Sequence, residues 1–136
     1  MADQDTQTRI RRIPAPAQNL ESKPFWDAAA QGRFLLKRCT ACNELHWYPR
    51  NICPFCFSAN TEWVESKGEG VIYTYSVMRR NTPVPYAIAY VTLNEGVSLL
   101  TNLVDCDFDA LKVGQKVKLK WTPTEGGPPV FTFTVA

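Results

Sequence analysis

The sharpest hydrophobic rhythm in the chain lies near its end. Val117, Leu119 and Trp121 alternate with Lys116, Lys118 and Lys120, a period of two that places the apolar side chains on one face of a strand and the lysines on the other. Phe131, Phe133 and Val135 alternate with Thr132 and Thr134 in the same way. Reading backwards, similar segments occupy Gly70 to Arg79, Tyr86 to Leu93 and Val97 to Val104. In the first of these, Val71, Tyr73, Tyr75 and Val77 share a face and are expected in the core. The separators are rich in turn formers: Thr82-Pro83-Val84-Pro85, Asn94-Glu95-Gly96 and Thr124-Glu125-Gly126-Gly127-Pro128-Pro129. The middle separator predicts a tight hairpin.

Five short strands left as an open sheet would expose two unpaired edges. Closure removes them, and the common five-stranded solution is the OB-fold, a small Greek-key barrel. The pattern ahead of the barrel differs. Ser22 to Gly32 reads as a short helix, with Ser22 as its cap, Pro24 in the first turn, alanines inside and Gly32 at the stop. Arg33 to Arg38 is a short strand that runs into a cysteine-rich stretch. The expected fold is mainly β. It comprises a flexible arm over residues 1–20, a helix over 21–32, a rubredoxin-like zinc ribbon over 33–60 and the barrel over 61–136.

The cysteines change the picture from fold to chemistry. Cys39-Thr40-Ala41-Cys42 and Cys53-Pro54-Phe55-Cys56 are two knuckles separated by a short insert. Two residues between cysteines let a tight turn aim both sulfurs at one point, and two such turns complete a tetrahedron. Four protein sulfurs leave no coordination position for water or substrate, so the metal is expected to be structural Zn²⁺. An iron site of rubredoxin type has the same ligand count. Such sites favour glycine after the second cysteine of each knuckle, where this chain has Asn43 and Phe57. Asn tolerates a left-handed backbone; Phe is awkward there. Cys106, between Asp105 and Asp107, is expected to be an inert filler with a raised thiol pKa. His46, the single histidine, reads as a packing or surface residue rather than a fifth ligand.

Composition removes several function classes. The net charge is +2, so no polyanionic partner is demanded. Arg9, Arg11 and Arg12 form a basic cluster in the arm, read as solvated charge or as a phosphate contact. No apolar run approaches the roughly 18 to 20 residues of a membrane span, and the N-terminus lacks an export signal. A cytoplasmic location is expected, where paired cysteines read as metal ligands rather than disulfides. No nucleophile–base set, P-loop or dinucleotide fingerprint stands out. From the residues alone the chain reads as a binding or accessory module. Single-stranded nucleic acid is the alternative ligand, since OB barrels and zinc ribbons both serve that purpose.

The order of the parts is more specific than any one of them. Phe25-Trp26, Gly32-Arg33-Phe34, Lys37-Arg38-Cys39-x-x-Cys42, Tyr48-Pro49-Arg50, Cys53-Pro54-x-Cys56, Gly68-x-Gly70-x-Ile72-Tyr73 and Val113-Gly114 follow one another in that sequence. This arrangement resembles the acyl-CoA-associated zinc-ribbon/OB-fold family, formerly a domain of unknown function, over roughly residues 20 to 134. The resemblance implies an accessory subunit bound to a thiolase-fold enzyme or, in other members, to an enoyl-CoA hydratase or retro-aldolase. In such complexes the partner carries the catalytic residues, and the small protein helps shape or gate the acyl-CoA tunnel. On that basis Phe25, Trp26, Trp47 and Tyr48 are expected at the partner interface. Arg50, Arg79 and Arg80 are expected to steer the CoA phosphates. The competing roles are packing over the metal for the aromatics and plain solvated charge for the arginines.

Overall fold

The computed structural model describes residues 11–136. A short helix, α1 (Lys23–Ala29), precedes strands β1 (Leu35–Cys39), β2 (Leu45–His46) and β3 (Thr61–Glu65). These three strands form an antiparallel sheet in the order β2-β1-β3. Strands β4 (Glu69–Met78), β5 (Tyr86–Leu93), β6 (Ser98–Leu103), β7 (Lys116–Thr122) and β8 (Val130–Val135) then close a barrel in the order β4-β5-β6-β8-β7. Among the barrel strands β6 and β8 pair in parallel, with Leu103 facing Phe133. This is the five-stranded Greek-key barrel that the alternation predicts. Among the described residues, no helix is long and apolar enough to cross a membrane.

Each strand earns its place by burying one face. On β5, Ala87, Ala89, Val91 and Leu93 point inward, and the two alanines keep the narrow interior from overfilling. Gly70 on β4 is required for the same reason. A β-carbon there would lie 2.4 Å from the Thr92 carbonyl oxygen, so strands β4 and β5 could not approach. Phe133 and Val117 fill the interior from β8 and β7, while Lys116, Lys118 and Lys120 face solvent as expected.

Four expectations need correction. First, β4 carries a bulge between Ile72 and Thr74, which switches its inward phase from Gly70 and Ile72 to Tyr75 and Val77. Tyr73 sits at the switch and is 67% exposed rather than core. Second, the ribbon does not stop at residue 60, because Thr61–Glu65 pairs residue for residue with β1. Third, Ser22 stands at the helix N-cap but makes no side-chain cap. Its hydroxyl instead accepts the Asn19 N–H, and its own N–H donates to Asn19 Oδ1. Fourth, the described part of the arm is docked on the barrel. Ile13 O accepts a hydrogen bond from Glu125 N at 2.9 Å, and Arg12 lies 3.9 Å from the Glu125 carboxylate. Residues 1–10, and with them Arg9, lie outside the described residues.

Helix, ribbon and barrel share one hydrophobic core. Phe25 from α1 meets Trp26, Phe34, Trp47 and Phe131 edge to face at centroid distances of 4.8 to 5.9 Å. Phe34, just ahead of β1, also reaches Trp121 and Phe133 of the barrel. Edge-to-face pairs of this kind contribute about 0.5 to 1.5 kcal/mol each beyond area burial. The joint between the two units is therefore aromatic and largely buried.

Candidate metal centre and its surroundings

The four sulfurs of Cys39, Cys42, Cys53 and Cys56 lie within 4.8 Å of one another. Cys39 and Cys56 are 3.5 Å apart, and Cys42 and Cys53 are 3.7 Å apart. A tetrahedral ion with metal–sulfur bonds of about 2.3 Å needs sulfurs about 3.8 Å apart. The donor set and spacing fit such an ion, and the four thiols form a metal-binding cluster.

Local backbone geometry aims the sulfurs. Asn43 N donates to Cys39 O at 2.8 Å, and Phe57 N donates to Cys53 O at 2.9 Å. Cys39 Sγ accepts the Cys42 N–H, and Cys53 Sγ accepts the Phe55 N–H, both at 3.4 Å. Each knuckle then exits through a left-handed residue, Asn43 and Phe57, both at φ 65°. The phenylalanine thus adopts the conformation that the glycine-preferring position demands. Electrostatics point the same way. The Cys42 backbone N–H pulls the Cys39 thiol down to about 6. At Cys42 the Glu44 backbone N–H also pulls down, but burial and the neighbouring sulfurs outweigh it and push the thiol up to about 12. Four crowded thiols cannot all ionise unaided; a divalent cation lets them.

His46 stays out of this cluster. Its ring is buried, and Nε2 accepts the Arg50 N–H at 3.2 Å. Burial, reinforced by the charges of Lys37 and Arg50, lowers its pKa against the opposing Arg50 carbonyl and Glu21. Cys106 is half-buried beside the core, and its thiol pKa is raised first by burial and then by Asp107. The expected cause, carboxylates alone, is secondary.

Of the aromatic residues expected at a partner interface, the structure buries Phe25 and Trp26 and leaves Trp47 and Tyr48 half-buried. Phe25 is 0% exposed and Trp26 is buried, with the indole Nε1–H donating to Tyr48 Oη at 3.1 Å. Trp47 stacks on Phe34 inside the aromatic joint. A large ring beside three others lowers its free energy more by packing than by waiting for a partner. The arginines expected to steer CoA are not brought into one pocket either. Arg50 Nη1 lies 3.8 Å from Glu21, whose other oxygen accepts the Asn51 N–H at 2.7 Å. Arg79 Nη2 pairs with Asp109 at 2.6 Å, and Arg80 is exposed. Both pairings offset charge that a phosphate would need.

Two features escaped sequence reasoning. Ile52, Phe55 and Phe57 are 50%, 62% and 78% exposed, an apolar surface carried by the second knuckle. The signal is the short turn itself: its sulfurs converge on the other two cysteines, and the residues around them are left at the surface. The second feature is a cavity at one end of the barrel, bounded partly by the arm. No periodicity places residue 11 beside residue 120.

A sulfur-closed ribbon welded to a five-stranded barrel defines a small class of proteins. Two family profiles match in tandem, the "ChsH2, rubredoxin-like zinc ribbon domain" over residues 26–62 and the "ChsH2, C-terminal OB-fold domain" over residues 63–122. A chain of the solved "Ltp2-ChsH2(DUF35) aldolase" superposes with a TM-score of 0.78 at 34% identity, over 88% of this chain and 98% of that one. The chain is 37% identical over 113 residues to a "Probable enoyl-CoA hydratase alpha subunit" of Thermomonospora curvata, covering 79% of this chain and 35% of the relative. It is 34% identical over 90 residues to a "DUF35 domain-containing scaffold protein" of Methanothermobacter thermautotrophicus, covering 60% of this chain and 66% of the relative. The matched region thus spans less than two thirds of either relative's own length. The chain belongs to the ChsH2-type, or DUF35, zinc-ribbon/OB-fold family.

Proposed function

We propose that the chain is a non-catalytic accessory subunit of an acyl-CoA-processing enzyme. The catalytic partner is of the thiolase type, making or cleaving carbon–carbon bonds, and the complex works in the cytoplasm. The observation that carries the reading is the likeness, across nearly the whole of its length, to a chain of an aldolase complex. The name of the hydratase subunit and the scaffold names of the archaeal relatives support the coarser role.

The metal in this reading is Zn²⁺, which locks the ribbon and does no chemistry. It holds the second knuckle in place, and Ile52, Phe55 and Phe57 there supply the apolar contact with the partner that the buried helix aromatics do not. Arg50, Arg79 and Arg80 keep a secondary role, releasing Glu21 or Asp109 to meet CoA phosphates when the complex forms.

Single-stranded nucleic acid fits less well. Tyr73 and Tyr90 are exposed and can stack on bases, but the groove between Tyr75, Ile88, Tyr90 and Leu100 is lined by no charged residue. Phosphates there would find no counter-charge.

A tagged pull-down from the native cell tests the proposal, with mass spectrometry of captured proteins and metal analysis of the same sample. The expected result is a thiolase-fold CoA enzyme in stoichiometric amount, with one zinc per accessory chain. A captured enzyme that keeps full activity and solubility when this chain is deleted would sink the accessory role. Visible absorption from the purified chain would replace zinc with iron, since Zn²⁺ is d¹⁰ and colourless.

A further inference from the structure

The cavity at the barrel end has a volume of about 330 Å³ and opens between the arm and the ends of β5, β6 and β7. Its wall is largely apolar, with Ile13, Leu103, Phe108 and Trp121 among the lining residues. Three charged side chains line it. Lys120 Nζ is already paired with the Asp105 carboxylate. Arg11 is held over the Tyr86 ring, 4.1 Å from its centroid, and makes no ion pair with a carboxylate among the described residues. A guanidinium placed this way is positioned by the ring yet keeps N–H donors for a ligand.

From this arrangement we infer that the barrel-end cavity is a binding site for a small carboxylate with an apolar tail. The charge argument sets the head group. Arg11 and Lys120 against Asp105 leave one net positive charge, which a monoanion neutralises. A dianion would leave excess negative charge beside Asp105, in a site with low-dielectric walls. The volume sets the tail. At about 330 Å³ the space lies at the lower end of the roughly 300–1,000 Å³ of small-ligand sites, which suits a short- to medium-chain acid. The lining includes none of the four metal-binding cysteines.

The arm forms one wall, and its seat is built into the sequence at Gly127. A β-carbon at that position would lie 2.6 Å from Ala15 Cβ, with no flexible side chain to give way. Substitution there lifts the arm and carries Arg11 and Ile13 out of the cavity.

Titration of the full zinc-loaded chain with octanoate, followed by amide and side-chain NMR, tests the site; octanol and octyl phosphate serve as comparison probes. Octanoate is expected to bind saturably, with shifts centred on Tyr86, Phe108 and Trp121, and at least tenfold tighter than octanol. Arg11→Gln should weaken octanoate about tenfold and leave octanol unchanged. Gly127→Val should weaken octanoate at least as much, and should weaken octanol as well because Ile13 leaves with the arm, while the barrel keeps its dispersed spectrum. The inference is overturned by equal affinity for acid and alcohol, by tighter binding of octyl phosphate, or by shifts centred on Ile88, Tyr90 and Leu100 instead. It is equally overturned by no saturable binding, or by a folded Gly127→Val variant that binds octanoate as the parent does.

Discussion

The two cysteine knuckles are nearly the same piece of backbone wearing different side chains. Each returns an N–H to the carbonyl of its first cysteine, each gives that cysteine's sulfur a backbone N–H, and each exits at φ 65°. Yet the first knuckle shows solvent Thr40, Asn43 and Glu44, whereas the second shows Ile52, Phe55 and Phe57. Metal binding cannot explain the contrast, because the polar version already satisfies it. What the second knuckle carries beyond the first is therefore available for recognition, and it is held rigidly by the same sulfurs.

The equivalence of the backbones is tested most severely at the ligands. Cys39→Ser and Cys53→Ser should be equally damaging, each discarding most of a metal-linked folding free energy that is about 10 to 16 kcal/mol in small zinc domains. Mass spectrometry should find no metal in either variant. NMR should show the ribbon strands β1 to β3 losing dispersion while β4 to β8 keep theirs, since the barrel is closed by its own hydrogen bonds. If one serine variant retained the ion, the knuckles would not be equivalent.

The contrast between the surfaces is tested next. Replacing Phe55 and Phe57 together by serine should weaken partner binding about 100-fold, the scale of losing two aromatic contacts. Thr40→Ser with Asn43→Gly should change it less than twofold. Metal content should be unchanged in both. Equal effects, measured by surface binding to the captured enzyme, would mean that the apolar knuckle is not the contact.

These contrasts also mark where sequence reasoning stops. The ligand set, the barrel and the positions of all five of its strands are legible in the sequence, because alternation and cysteine spacing are local signals. Tyr73 was misplaced because a bulge shifts the period of β4 without altering its composition. The packing of Phe25, Trp26 and Trp47 is not legible in the sequence, because a large aromatic reads the same whether it faces a partner or a joint within its own chain. The ion pairs of Arg50 and Arg79 are hidden for a related reason. Glu21 and Asp109, which pair with them, lie about 30 residues away and leave no periodic trace.

A gentler change sharpens the comparison within the backbone itself. A left-handed residue other than glycine costs about 1 to 2 kcal/mol, and asparagine suffers less than phenylalanine. Phe57 is largely exposed, so its removal forfeits little burial. Phe57→Gly should therefore raise stability by about 1 kcal/mol in denaturant titration, against a few tenths for Asn43→Gly. If it also lowers partner affinity, the strain at Phe57 is retained for contact and not for folding. A destabilised Phe57→Gly would show instead that the ring packs on the ribbon.

The smallest effect separates the knuckles by pH. His46 lies between them, and its ring serves the second one, because Nε2 must be unprotonated to accept the Arg50 N–H. Burial holds its pKa below the ordinary value of 6.5, so the folded chain binds less proton there than the unfolded chain. The stability this contributes is present above about pH 6.5 and is lost as pH falls below it. A single site of this kind changes stability by at most about 1.4 kcal/mol per pH unit. Hydrogen exchange between pH 7.5 and 5.5 should therefore show residues 50–57 opening before 39–44 in the parent chain. His46→Gln should flatten that slope by about 1 kcal/mol across the range, because glutamine neither titrates nor changes its acceptor. Residual pH dependence then belongs to the sulfurs, which both knuckles share, and it should open the two together. A variant that kept the parent's asymmetric opening would remove His46 as the cause and leave the difference to the side chains of the second knuckle alone.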